Sequence, residues 1–187
     1  MLKKNIETEI KYKITFQARA ALEKLVIKKG FKYFNKENIR DNFVYITKSK
    51  LGGWNFLRLR NIDDKIFYKT TKKWLVDKNG LRVRLEMEKK IGRKHYFRLL
   101  KERLKITIEK TRTNYHGKIG NHQVTISLDE LVVNHKKYNF LECETITDVE
   151  SSQPARNELK RWLNKNLKIN TKREAQSMID FINSIKK

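Results

Sequence analysis

The sequence predicts an α+β fold, an antiparallel sheet of about eight strands with its helices gathered towards the ends of the chain. Three observations point there. Segments rich in aromatic and β-branched residues recur throughout: "IETEIKYKI" (6–14), "FKYF", "IRDNFVYIT", "WNFLRLR", "IFYKTTKKW", "LRVRLEMEKK", "KITIEKTRTNY", "HQVTISLD" and "KYNFLECETI". Helix start and stop signals frame this run at both ends rather than alternating with it. And with one Pro, seven Gly and no internal repeat in 187 residues, nothing reads as a linker, so residues 1–187 are expected to form a single domain.

The elements follow in order. After the first strand, Thr15 offers an N-cap for a helix with the apolar stripe Ala20, Leu22, Leu25 and Val26, and Gly30 stops it. "DKNG" (77–80) is a hairpin turn signal. Residues 93–103 read as a short basic helix, and "HGKIGN" as a turn between two later strands. A helix begins around Ser152–Pro154, with Pro near the first helical position. A last helix starts at the capping box Thr171 to Glu174.

Composition narrows the partners and the compartment. Lys+Arg number 44 against 21 Asp+Glu, a formal charge of +23, which attracts polyanions such as RNA, polyphosphate or nucleotides. A single cysteine, Cys143, excludes an internal disulfide and a cysteine-based metal site. No apolar run approaches the roughly 20 residues that span a bilayer, and the N-terminus lacks a signal-peptide core. The expectation is a cytoplasmic protein without a membrane partner. His95, His116, His122 and His135 show no ligand spacing, while Trp54, Trp74 and Trp162 read as core.

The polar faces of the strands are unusual. Glu7 and Glu9 share a face, as do Glu142 and Glu144, whereas Cys143 points the other way as a small hydrophobe. Arg82, Arg84, Glu86 and Glu88 oppose Val83, Leu85 and Met87; Arg58 and Arg60 oppose Leu57 and Leu59; Lys110 and Arg112 share a face; Asp129 alternates with Leu128. Composition accounts for about one Glu-x-Glu by chance, yet all three found here lie mid-strand between apolar neighbours. Two arrangements explain such faces. An open antiparallel sheet wets one side. A closed barrel instead turns the polar side inward, and a charged interior then needs water, mutual pairing or a ligand that carries both phosphates and cations. Carboxylates suit Mg2+ or Mn2+, and guanidinium forks suit phosphate oxygens.

These motifs, in this order, resemble those of the CYTH superfamily, the triphosphate tunnel metalloenzymes. "ETEIK" (Glu7, Glu9, Lys11) resembles the ExExK signature; "RLR" (Arg58, Arg60), "FYK" (Lys69), "RLEME" (Arg84, Glu86, Glu88), "KTRTNY" (Lys110, Arg112, Tyr115), "SLDEL" (Asp129) and "FLECE" (Glu142, Glu144) follow over roughly residues 5 to 185. "RDNF" matches the family's Asp-x-Tyr position loosely, and "KTTKKW" stands where Gly-Pro is common. The resemblance implies an eight-stranded closed tunnel that binds a triphosphate-containing small molecule with Mg2+ or Mn2+. In it Glu7, Glu9, Asp129, Glu142 and Glu144 would hold the metal, with Glu9 and Glu144 essential to turnover. Lys11, Arg58, Arg60, Lys69, Arg84, Lys110 and Arg112 would hold phosphates, supported by Glu86 and Glu88. Three activities fit: a triphosphatase, a class IV-type adenylate cyclase, and an RNA 5′-triphosphatase or polyanion-binding module.

Overall fold

The chain runs β1 (Ile6–Ile14), α1 (Phe16–Lys28), β2 (Lys32–Lys48), β3 (Trp54–Ile62), β4 (Ile66–Val76), β5 (Arg82–Ile91), α2 (Arg93–Glu102), β6 (Ile106–Ile119), β7 (His122–Val133), β8 (Lys136–Thr147) and α3 (Ser152–Leu167). The structure, a computed structural model, describes residues 6–51, 54–76, 82–102, 106–133, 136–148 and 151–169. The eight strands hydrogen-bond in the order β1-β8-β7-β6-β2-β3-β4-β5. That order has two ends, so the closed barrel expected from the sequence is not what the strand pairing records. Among the described residues β5 pairs on one side only, with β4, and positions 86–90 are exposed on both faces, Met87 included.

By contacts the chain divides into two compact units, Met1–Lys36 with Thr111–Lys187, and Glu37–Lys110; β2 and β6 pass through both. In the first unit, alternation sends Ile10, Tyr12, Ile126, Leu128, Leu141 and Cys143 to one face. Leu22 and Val26 of α1 and Leu159, Leu163 and Leu167 of α3 cover them. The α1 stripe differs from expectation at one place: Ala20 is exposed, and Ala18 packs on the core instead. Both expected caps form: Thr15 Oγ1 accepts from the Ala18 N–H at 3.1 Å, and Gly30 takes φ +89° after the last turn. Apolar packing on the helix side leaves the other face of β1, β7 and β8 to its charged residues.

In the second unit β2, β3, β4 and β5 pair antiparallel. Tyr96 of α2 seats on Val44, Leu59 and Phe67, and its hydroxyl accepts from Asn42 Nδ2 at 2.6 Å. Two sequence boundaries shift. "FKYF" and "IRDNFVYIT" are one 17-residue strand, β2, with a bulge between Phe43 and Tyr45 that absorbs the break in alternation. β6 runs on through "HGKI" to Ile119, and Gly120, at φ +54°, turns the chain with Asn121. The "DKNG" turn and the Thr171–Glu174 capping box lie outside the described residues.

Gly117 is required by packing. A Cβ there would lie 2.6 Å from the Phe31 ring, which meets Trp162 in a tilted contact with centroids 5.4 Å apart and is held in the core. Gly117→Ala should therefore destabilise by about 1–3 kcal/mol, read as a lower urea midpoint with unchanged m. A midpoint equal to wild type would show that Phe31 moves freely.

Candidate active site

On the face of the first unit opposite the helices, the β1–β8 register sets Glu9 against Glu144 and Lys11 against Glu142. β7 extends these rows with Thr125 opposite Glu144 and Ser127 opposite Glu142. Lys11 Nζ donates to Glu9 Oε1 at 3.1 Å and also to Glu142. Arg112 forks onto Asp129, Nε and Nη2 each 2.7 Å from a carboxylate oxygen, and Nη2 reaches Glu142 as well. Asp129 has no exposed surface. Burial alone would lower the basicity of Lys11 and Arg112. Glu142 and Glu9 around Lys11, and Asp129 and Glu142 around Arg112, reverse that and raise both. Glu144 is the opposite case. Burial, and then Glu7 beside it, push its carboxyl up to about 8.

The second unit gathers cations. Asp41, 5% exposed, faces Arg60 and accepts from its Nε at 2.7 Å and its Nη2 at 2.9 Å. Arg58 Nε lies 3.9 Å from the same carboxylate, while Arg58 Nη2 donates to Thr70 Oγ1 at 3.1 Å and to Glu88 Oε2 at 3.2 Å. Thr70 in turn donates to Glu88 at 2.6 Å, and Glu86 lies 3.9 Å from Arg58. Lys110 is 8% exposed. Burial would raise the Asp41 carboxyl; Arg60, then Arg58 and Lys110, bring it well below the usual carboxylate range. Stability tied to Asp41 is thus present above its unfolded value, about 3.9, and lost as pH falls through the lower folded one. Acid unfolding followed by circular dichroism should show this loss below about pH 4 in wild type and lack it in Asp41→Asn; superimposable acid limbs would contradict the assignment.

A family model for the CYTH domain matches residues 5–177. The chain belongs to the CYTH domain family. Solved structures with this CYTH architecture include two proteins of Pyrococcus horikoshii OT3. One is 23% identical, with 91% of this chain and 94% of that one covered and a TM-score of 0.61. The other is 21% identical, with 96% and 99% covered and a TM-score of 0.66. A third, from Hippeastrum, is 18% identical, with 96% of each chain covered and a TM-score of 0.67; it is an adenylyl cyclase candidate described as revealing a dominant triphosphatase activity. At these identities the likeness establishes the fold. A search of curated proteins found no match.

Within this CYTH chain the expected residues do not all share one face. Lys69 pairs in register with Leu59, on the apolar side of β3, so it does not share a face with Arg58 and Arg60. The lysine that does is Lys72, which pairs with Phe56 and with Glu86. Asp129 stands apart from the expected metal ligands, since Arg112 takes both of its oxygens. The Arg84 side chain lies outside the described residues. Sequence reasoning missed Asp41, Thr70 and Lys72. "RDNF" signalled the first only weakly, and the other two depend on cross-strand register, which no motif prints.

The donor set suits a hard cation: Glu7, Glu9 and Glu144 offer carboxylate oxygens, and the like charges of Glu7 and Glu144 are what a dication would offset. Among the described residues no three His, Cys, Asp or Glu side chains converge as a formed cage, for Lys11 and Arg112 hold Glu142. Nor, among them, is any helix long and apolar enough to cross a membrane.

Proposed function

We propose that this chain is a metal-dependent triphosphatase acting on inorganic triphosphate or a nucleoside or other organic triphosphate. The observation that carries the reading is the meeting of β1 and β8: Glu9 faces Glu144 in register, and Lys11 lies one step along the same face, opposite Glu142. Glu7, Glu9 and Glu144 would hold Mg2+ or Mn2+, which when bound neutralises phosphate charge and polarises the phosphoryl group. Arg58 and Arg60 present rigid guanidinium planes to phosphate oxygens, aimed by Asp41 and Thr70. Lys11 and Arg112 supply further charge, and Lys110 and Lys72 extend it. Hydrolysis adds a water oxygen to the terminal phosphorus and breaks the bridging P–O bond, releasing the shortened phosphate chain; the water's proton passes to solvent or to a carboxylate, a role we assign to Glu9. Water suffices as nucleophile, and the dominant triphosphatase activity described for the Hippeastrum protein agrees with this choice.

The test is a substrate panel. Purified protein with Mg2+ or Mn2+ is offered inorganic triphosphate, ATP, thiamine triphosphate and 5′-triphosphorylated RNA, and phosphate, pyrophosphate and cyclic AMP are scored. Phosphate release from at least one of them is expected. Cyclic AMP as the main product would replace the hydrolase with a cyclase. No turnover, together with tight and salt-sensitive RNA binding, would make the chain a polyanion-binding module.

A further inference from the structure

Two exposed rings in the first unit have no part in the site so far described. Phe34 on β2, 59% exposed, stacks on exposed His116 of β6 with centroids 4.1 Å apart and planes 20° from parallel. Exposed Lys32 and Lys36 flank Phe34 along the chain, and exposed Lys118 follows His116. The strand pleat decides which face His116 occupies. Position 117 faces the helix-backed core, because a Cβ there would meet Phe31. His116 therefore points to the other face, the side that carries Arg112 and Asn114. Arg112 bonds Asp129 and Asn114 accepts from Ser127, so one further step along the hairpin brings His116 beside Thr125, whose partner on β8 is Glu144. The stack thus sits about 13 Å along β6 from Arg112 and about 10 Å, two strand spacings, from Glu144.

We infer that the Phe34–His116 pair is a stacking platform for the base of a nucleoside 5′-triphosphate, free or at the end of an RNA. It rests on the triphosphate reading above for the place of the phosphates. Three features support it. The rings are already stacked and near-parallel, so a base can extend the stack with little ordering cost to the protein. Stacking on an aromatic face accepts any base. The flanking lysines attract the anionic remainder of the same ligand. An extended nucleotide spans the distance from the platform to Arg112 and Glu144, whereas inorganic triphosphate has nothing to place on it.

The experiment measures equilibrium binding by calorimetry, with Mg2+, of ATP, inorganic triphosphate and a short 5′-triphosphorylated RNA to full-length wild type, Phe34→Ala and Phe34→Trp. Phe34→Ala should weaken ATP about 5- to 100-fold and leave inorganic triphosphate unchanged, and Phe34→Trp should restore ATP binding. Equal weakening of ATP and inorganic triphosphate, or none of ATP, overturns the platform. RNA that weakens with ATP supports an RNA end as a further source of the base, and weakening of ATP alone supports the free nucleotide. Phe34-dependent ATP binding with no triphosphate turned over would sink the hydrolase and keep the platform. Turnover of inorganic triphosphate beside Phe34-independent ATP binding would do the reverse.

Discussion

Glu144→Gln should cut triphosphate turnover by about a thousandfold or more, the loss expected when several kcal/mol of cation-supplied stabilisation disappears, while the metal-free protein stays folded. Its physical basis is the proton that Glu144 keeps. With burial and Glu7 holding its carboxyl up to about 8, wild type at neutral pH already carries a neutral group there, and glutamine reproduces that shape and charge. What glutamine cannot do is ionise for a cation. The sign of the pH dependence follows. A carboxyl raised in the folded state contributes stability that is fully present below its unfolded value and lost as pH rises through about 8. A cation needs the ionised form, so Mg2+ should raise the wild-type melting temperature more at about pH 9 than at about pH 6. Glu144→Gln should abolish that difference. Glu9→Gln should also lose turnover, with some loss of stability because it gives up its 3.1 Å contact with Lys11. Activity surviving in both variants would show that the cation is held elsewhere.

Arg112→Met should lower the melting temperature by on the order of 10 °C, from a cost of about 3–5 kcal/mol for breaking a buried ion pair at one end. Arg112 lies between a fully buried Asp129 and a Glu142 that is 4% exposed, and its removal leaves carboxylates facing each other without a cation. The second substitution makes the test specific: Asp129→Asn added to Arg112→Met should recover part of the loss, because it removes the charge that lost its partner. Arg112→Lys should be intermediate, keeping the charge without the bidentate fork. If Arg112→Met melts like wild type, or if Asp129→Asn only adds to its cost, the triad does not hold this face together. Arg60 makes the same kind of fork onto Asp41 in the other unit, whereas Arg112 adds a second carboxylate, Glu142, and so ties β6 to both β7 and β8.

Alternation was legible in the residues alone because a strand has a period of two and the core selects one phase of it. Leu141 and Cys143 are wholly buried, so Glu142 and Glu144 had to face away, and the same logic placed Glu7, Glu9 and Lys11 against Ile10 and Tyr12. The helix caps at Thr15 and Gly30 were equally local, since each needs only its own turn. Partners were another matter. That Lys69 faces Leu59 while Lys72 joins the arginines is a fact about the β3–β4 register, and a one-residue slip would exchange them. Asp41, in "RDNF", matched the family's Asp-x-Tyr position only loosely until β3 came alongside with Arg60, and the bulge after Phe43 shows why spacing alone could not carry that match. The raised carboxyl of Glu144 depends on its burial and on Glu7, 137 positions earlier in the chain. Which residues share a face is written in the order of side chains along a strand. Which charges neutralise one another is settled when distant strands fall into register, because electrostatic energy depends on distance in space and is indifferent to distance along the chain.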